Sequence, residues 1–585
     1  MNANYYDVLL SLSENIYQSQ KELSIRCGLT VNTVSNALKH LREKGLCTKG
    51  NCLTDCATSF LEKHKPQRAI ILAAGFGMRM VPINTETPKA LLSIRGEILI
   101  ERLIRQLQEV DIKEIFIIVG FMKERFEYLR DTFGVNLIYN PQYSQKNNLH
   151  SLSLALRHLS NVYIVPGDLW CEENPFHHNE IYSWYMVSDS IHKDSTVVVN
   201  KNRKLLKTKN LGNRMIGISY LSEPESDVIK ANISHMLNCS RYDNAFWEAA
   251  LYSKDRMLLY AKIIPEKSIT EINTYEQLRT LDSNSSDLKS DAIETIKTAL
   301  SVEESEIKNI SVLKKGMTNR SFLFYCKDKK YIMRIPGEGT DRLINRRQEA
   351  KVYTVLNGKG ICDDVVYINP ENGYKITEFL EGARVCDPFS MDDIKKVMNK
   401  LRKFHNEKMK VSHIFDIFEQ IQYYEDLWDG VPSDFRDYAT TKEQVLSLRS
   451  YIDTQSPDYC LTHIDAVADN FLFVPSAQGE EIRLIDWEYA GMQDPHVDIA
   501  MFCIYALYDR EHIDSLIDLY FEGNCPQSTR AKIYCYIAAC GLLWSNWCEY
   551  KRILGVEFGE YSLQQYIFAK EYSKIAKTAI NSLTQ

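Results

Sequence analysis

The sequence predicts a multidomain α/β chain, and three observations carry that prediction. At 585 residues the chain is several times the usual domain length of about 100–200 residues. Two polar stretches, HKPQ at 64–67 and DSNSSDLKSD at 282–291, mark composition shifts of the kind that join domains. Directly after the first, the apolar strand-like run AIILAAG opens into a glycine turn, the start of an α/β unit rather than of an all-helical one. Three units follow, about 1–65, 66–285 and 290–585.

Composition narrows the classes. Hydrophobic residues at 45% and charged residues at 25% are those of folded globular chains. The net charge of −7 gives no global pull towards nucleic acid or anionic lipid, although the first 65 residues carry +2 and the remainder −9. No apolar run approaches the 18 or so residues of a membrane span. The best candidate, Ile533 to Trp544, is short and contains Tyr and Cys, so no membrane insertion is expected. MNANYYDVLLSLSEN lacks a basic segment followed by an apolar one, so no signal peptide is expected. Fifteen cysteines without a disulfide-like framework fit a reducing, cytoplasmic setting. The sequence gives no oligomeric state.

In the first unit, Gln20 to Cys27 reads as a short helix and Gly28-Leu29 as a turn. Thr30 then caps a second helix running to Lys44. Val34, Leu38 and Leu41 share one face, leaving Asn32, Thr33, Asn36 and Lys39 outward. LCTKGNCLT reads as two short strands around Lys49-Gly50-Asn51. The whole resembles a winged helix-turn-helix, which implies DNA as a partner or a dimerisation or interdomain role. Cys27, Cys47, Cys52 and Cys56 lack a paired C-x2-C knuckle and read as small buried hydrophobes rather than zinc ligands.

In the middle unit, residues 69–92 read AIILAAGFGMRMVPINTETPKALL. The strand exits through Ala73 and Ala74 into Gly75 and Gly77, where backbone N–H groups can approach a triphosphate with no side chain in the way. Arg79 and Lys89 can neutralise charge on a departing pyrophosphate. The pattern L-x-A-G-x-G-x-R with P-K-x-L-L resembles the sugar-phosphate nucleotidylyltransferase superfamily, which implies a Rossmann-like fold. NPQYSQKNNLHSLSLAL resembles the NN-x-x-S segment of LicC-type CTP:phosphocholine cytidylyltransferases, implying that Asn147, Asn148 and Ser151 line the nucleotide. The same resemblance makes Asp168, after VYIVPG, and Glu271 and Asn273 of the triplet Glu271-Ile272-Asn273 ligands of Mg²⁺. The family usually has Asp in the third place, and a neutral Asn oxygen holds a hard cation less strongly. Trp184, Tyr220, Trp247 and Glu248 match aromatic segments implied to hold a trimethylammonium group.

In the last unit, Gly316, Thr318 and Asn319 sit in a turn fit to cover phosphates, with Arg334 on a strand and Glu349 on a following helix. Such a cation–carboxylate pair positions nucleotide phosphates in kinases. KITEFLEG, with Glu378, reads as the strand and hinge beside adenine. His463-x-Asp465-x4-Asn470, then Asp486, resembles the loops of choline kinases and aminoglycoside phosphotransferases, which implies a protein-kinase-like α+β domain. By that likeness Asp465 orients the acceptor hydroxyl, Asn470 and Asp486 hold Mg²⁺, and His463 buttresses the loop. Asp494 and Asp498 match supporting positions. Glu488 and Tyr489, with Trp544, Trp547 and Tyr550 at i, i+3, i+6 and then Tyr561, resemble a choline cage.

The two likenesses imply consecutive steps. ATP and choline give phosphocholine; CTP and phosphocholine then give CDP-choline, which feeds phosphocholine decoration of bacterial surface glycans or lipids. Ethanolamine or an aminophosphonate in place of choline is a second reading. A transcriptional regulator sensing choline metabolites through enzyme-like domains is a third.

Overall fold

The computed structural model describes residues 3–584 apart from 16, 18, 84–86, 194, 314–318, 338–339, 341, 456–457 and 557. The chain forms two compact units, Met1–Glu294 with Ile310–Val312, and Thr295–Asn309 with Leu313–Gln585.

The first unit begins with helices Ala3–Glu14, Gln20–Cys27, Val31–Glu43 and Asp55–Lys63. Thr30 caps the third, its hydroxyl accepting from the Thr33 N–H at 3.2 Å, and Val34, Leu38 and Leu41 are fully buried, as their spacing requires. The expected hairpin is reduced to a single bridge, Cys47 to Leu53. Arg42 explains its shape by donating to the Asn51 side chain at 2.7 Å and pinning the turn. These helices are docked on the following domain. Ile181 joins their core, Tyr182 donates to Asp7 at 2.6 Å, and Arg203 pairs with Asp7.

The rest of the unit is built on one large sheet. Strands Asn136–Tyr139, Glu114–Val119, Arg68–Ala73 and Val162–Pro166 lie side by side in parallel. Antiparallel Gly212–Leu221 follows, then Trp184–His192 and Arg256–Ile264. Ala69, Ile70 and Ile71 are fully buried because helices cover both sheet faces, which is why the run is uniformly apolar. Ligands in such sheets bind beyond the carboxyl ends of the strands. Here those ends deliver Gly75 and, from the neighbouring strand, Asp168.

In the second unit, Asn319–Cys326, Lys329–Pro336, Lys375–Glu378 and Val365–Ile368 neighbour one another in an antiparallel sheet. Helix Arg346–Leu356 is capped by Asn345. The helical part centres on Gln527–Ile553, buried without a break from Ala531 to Lys551. This explains the apolar run at 533–544: a helix enclosed on all sides has no polar face to show. Among the described residues no helix is long and apolar enough to cross a membrane.

Candidate active sites

In the first unit, Ala73, Ala74, Gly75, Gly77, Lys89, Asn147, Asn148, Ser151 and Asp168 all line one cavity of about 220 Å³. Tyr143, Lys146 and Gly167 line it too and were not foreseen, although Lys146 stands beside the Asn-Asn pair. Gly77 has φ +63°, a left-handed conformation that favours glycine. A Cβ at Gly167 would come within 3.1 Å of Ala73 Cβ and Leu72 O, so a side chain there would crowd the neighbouring strand end.

Cations and oxygens converge at the mouth. Lys89 Nζ pairs with Asp168 and donates to Asn273 Oδ1 at 2.7 Å, where Arg79 Nη2 also donates at 3.0 Å. Glu271 and Asn273 arrive because Ile269–Glu271 pairs antiparallel with Leu169–Cys171, and the Ile272 N–H donates to Asp168 O at 3.1 Å. Glu271 itself faces Arg214, at 3.7 Å.

The three polar residues of the NN-x-x-S segment brace the wall. Asn147 accepts from the Asn148 N–H and donates to Asn244 O. Asn148 accepts from the Trp247 N–H at 2.8 Å, and Ser151 accepts from Asn140 at 3.0 Å.

The expected aromatic set divides. Trp247 and Glu248 lie beside Tyr185, whose hydroxyl donates to Glu248 at 2.9 Å, with Tyr185 and Trp247 centroids 6.2 Å apart. Burial pushes the Glu248 carboxyl up to about 7, and its Oε2 is buried without a hydrogen bond. Trp184 and Tyr220 are elsewhere, contrary to expectation. Both lie in the core on the opposite sheet face. Trp184 donates to Glu180 at 2.8 Å under the Lys262 ammonium, and Tyr220 donates to His64 O at 3.0 Å. The reason is strand alternation: successive side chains face opposite sides, and Tyr185, not Trp184, faces Glu248.

In the second unit, Arg334 and Glu349 form a buried two-pronged pair at 2.5 and 2.8 Å. Its carboxylate neighbours hold the guanidinium firmly charged, above its ordinary value. Asp486 lies 3.7 Å from Arg334 Nη1. Asp465 is held by Asn470, whose amide donates to its backbone O at 2.9 Å and to Oδ2 at 3.2 Å. Those bonds use the Asn470 amide nitrogen, and among the described residues none reaches its amide oxygen. Burial, then the charges of Asp486 and Glu488, push the Asp465 carboxyl up to about 8.

The loop is braced from behind. Asp498 accepts from the N–H groups of His463 and Ile464 at 3.0 and 2.8 Å, and His463 bonds Ile485 O at 2.9 Å. Burial lowers His463 to about 4, so it is a neutral buttress. Ile464 and Asp486 have φ of 71° and 66°, strained values of the kind found where a loop must aim a functional group.

Tyr489, Trp544 and Trp547 lie together. Tyr489 stands edge-on to Trp544 at 5.4 Å, and Trp544 to Trp547 at 5.6 Å. Tyr561 pairs with Tyr505 at 6.3 Å and lies within the electrostatic reach of Asp465.

Glu488 accepts from Asn319 at 2.9 Å and pairs with Arg346 at 3.3 Å, so its carboxylate is engaged by the charge cluster on the phosphate side and occupies the Asn319 amide. The Glu378 side chain is committed to Lys329 at 2.7 Å, which leaves only its backbone for adenine. Gly316 and Thr318 lie outside the described residues.

The donor sets suit a hard divalent cation. Each site offers carboxylate and amide oxygens, Asp168 with Asn273 and Asp486 with Asn470. Mg²⁺ characteristically takes one or two carboxylates and completes its shell with substrate phosphates and water.

A glycine-lined phosphate cavity at parallel strand ends and a braced Asp-Asn-Asp loop beside an Arg–Glu pair define a nucleotidyltransferase joined to a kinase-fold phosphotransferase. Family models agree. A MobA-like NTP transferase domain matches residues 69–181, and choline/ethanolamine kinase matches 310–535. The choline-phosphate cytidylyltransferase of Streptococcus pneumoniae is 30% identical over 229 residues, covering 37% of this chain and 96% of that protein. The LicA protein of Haemophilus influenzae is 27% identical over 263 residues, covering 43% of this chain and 76% of its own length. A 2-aminoethylphosphonate cytidylyltransferase of Lancefieldella rimae is 29% identical over 224 residues, covering 37% and 91%. The chain belongs to the choline-phosphate cytidylyltransferase family and carries a choline-kinase domain in addition.

Proposed function

We propose that the chain makes CDP-choline in two steps. The carrying observation is that the two matched domains handle one intermediate: phosphocholine is the product of a choline kinase and the acceptor of a choline-phosphate cytidylyltransferase.

In the kinase step, Asp465 accepts a hydrogen bond from the choline hydroxyl and takes its proton. The hydroxyl oxygen attacks the γ-phosphorus of ATP, and the bond to the β,γ-bridging oxygen breaks to release ADP. Arg334, fixed by Glu349, orients the phosphates. Tyr489, Trp544 and Trp547 offer aromatic faces to the trimethylammonium, which has no proton to donate. In the transferase step, a phosphate oxygen of phosphocholine attacks the α-phosphorus of CTP and pyrophosphate leaves. Lys89, Arg79 and the backbone around Gly75 and Gly77 stabilise the departing charge. Glu248, with its unpaired buried oxygen, faces the acceptor's cation beside Tyr185 and Trp247. Mg²⁺, when bound, neutralises phosphate charge in both sites, with Asp168 and Asn273 holding it in one and Asn470 and Asp486 in the other.

A one-pot reaction of choline, ATP, CTP and Mg²⁺, followed by mass spectrometry, tests this. CDP-choline is expected, with Asp168→Ala stopping at phosphocholine. Absence of both products overturns the reading. An aminophosphonate acceptor is the second reading, favoured by the Lancefieldella relative; 2-aminoethylphosphonate used in preference to phosphocholine would establish it.

The first 65 residues are read as a winged helix-turn-helix, on the capped Gln20–Cys27 and Val31–Glu43 helices and the pinned turn at Asn51. DNA is its candidate partner, and salt-sensitive, sequence-dependent gel retardation tests that. The Asp7–Tyr182–Arg203 contact favours an interdomain role if DNA is not bound. A reducing, cytoplasmic setting suits the fifteen free cysteines of the whole chain.

A further inference from the structure

A lysine side chain lies against the aromatic cluster proposed to hold choline. Lys551 lies on the same helix as the two tryptophans, and positions 544, 547 and 551 are spaced i, i+3, i+7, one face of Gln527–Ile553. Its Nζ sits 5.5 Å from the Trp547 ring centroid, and the residue is only 6% exposed.

What holds this ammonium is unusual. Next to it, Arg552 pairs with Glu549 at 3.0 Å and Asp434 at 3.1 Å. Lys551 makes no ion pair among the described residues. A buried charge without a counter-ion is expensive: burial holds the Lys551 ammonium below its ordinary pKa, opposed by the more distant field of Glu488 and by the indole face. The polar edge of Trp547 also lacks a partner among the described residues, its Nε1 being buried without a hydrogen bond. Two further rings, Trp544 at 5.6 Å and Phe558 at 5.1 Å, flank it.

An indole face has one electron-rich surface to give on each side, and two monovalent cations crowded together repel each other in a low-dielectric pocket. We propose that Lys551 is the resident occupant of the cage and that the substrate's ammonium binds by displacing it, so that Lys551 sets which ammonium ligands the kinase site accepts and how tightly. This rests on the reading that Tyr489, Trp544 and Trp547 hold the substrate's cation. It goes beyond that reading by placing a like charge where the ligand goes. A displaced lysine can reach water along its four-carbon stem. A quaternary ammonium needs no hydrogen-bond acceptor once inside, whereas the lysine and a primary ammonium both do, so the exchange favours the quaternary ligand.

The test compares Lys551→Met and Lys551→Gln with Lys551→Arg and the unaltered chain. Choline KM and the inhibition constant of tetramethylammonium, which carries the cation without the hydroxyl, are measured in each, with the ATP KM as control. The neutral variants are expected to lower both choline-side constants about fivefold to tenfold and to leave the ATP KM in place. Lys551→Arg, which keeps the charge, is expected to show no such gain. Unchanged or raised choline and tetramethylammonium constants in both neutral variants overturn the proposal. Trp547→Ala separates this failure from failure of the underlying reading. If that variant leaves choline KM unchanged, the cage assignment itself falls; if it raises KM while Lys551→Met has no effect, only the displacement falls.

Discussion

At Glu248 burial opposes charge, and its proposed place at the acceptor's cation predicts a pH dependence for the transferase step. With the carboxyl pushed up to about 7, it is mostly neutral at pH 6 and mostly ionised at pH 8. Only the ionised form attracts a trimethylammonium. The KM for phosphocholine is therefore expected to fall as pH rises through 7. Glu248→Gln should raise it about tenfold at pH 8, the equivalent of one pKa unit of interaction, and little at pH 6. The substrate's phosphate titrates near pH 6 as well (about 6 by its second ionisation), and the difference between the two profiles isolates Glu248. Equal profiles for both proteins would refute the assignment.

Asn273 carries a second prediction. Its oxygen is shared by Lys89 and Arg79, so Asn273→Asp adds a carboxylate beside Asp168. The Mg²⁺ concentration for half-maximal cytidylyl transfer should fall, and titration of Mg²⁺ against product formation checks it. Gly75, Gly77, Arg79 and Lys89 stand out in the sequence by residue type and spacing, whereas Asp168 and Asn273 were read only through the family resemblance. The engagement of Glu488 was not legible: its distance along the chain from Tyr489 is one residue, but the charge that claims it, Arg346, is 142 residues away in sequence.

Elements were legible where a local period or cap fixed them, and illegible where their facing depended on the sheet. Thr30 and the 34/38/41 spacing foretold a helix to within a residue. The parity of Trp184–His192 did not follow from its composition, since Trp184 and Tyr185 are both aromatic and both buried. Only the strand's neighbours decide which of them meets Glu248. At the helix level the closest constraint is Gly541, in the middle of Gln527–Ile553. An added Cβ there would lie 2.7 Å from Gln565 O and 2.9 Å from Ala569 N, both backbone atoms of the packed helix Glu560–Thr584. Backbone cannot swing aside as a side chain does, so Gly541→Ala is expected to destabilise the second unit by about 1–3 kcal/mol, the usual penalty of overpacking. The unfolding midpoint of kinase activity on heating should drop accordingly, while cytidylyl transfer from supplied phosphocholine keeps its own midpoint. A common shift of both activities would mean that the two units unfold together.

At the scale of the whole chain, each unit contains all the groups proposed to act in its own reaction. Gly75, Arg79, Lys89 and Asp168 all lie in the first, and Arg334, Glu349, Asp465, Asn470 and Asp486 all lie in the second. Each unit also spans most of a relative that is a separate protein, 96% of the pneumococcal transferase and 76% of LicA. Chemistry confined in this way needs nothing from the other unit but its small-molecule product. Lys89→Ala should therefore make phosphocholine and stop, and Asp465→Asn should make CDP-choline only from added phosphocholine. Mixed together with choline, ATP, CTP and Mg²⁺, the two variants should restore CDP-choline after a lag set by the build-up of free phosphocholine. Adding phosphocholine at the start should abolish the lag. A mixture that accumulates phosphocholine above the KM of the second step yet yields no CDP-choline would show that the intermediate is accepted only from the same chain, and would make the fusion itself part of the mechanism.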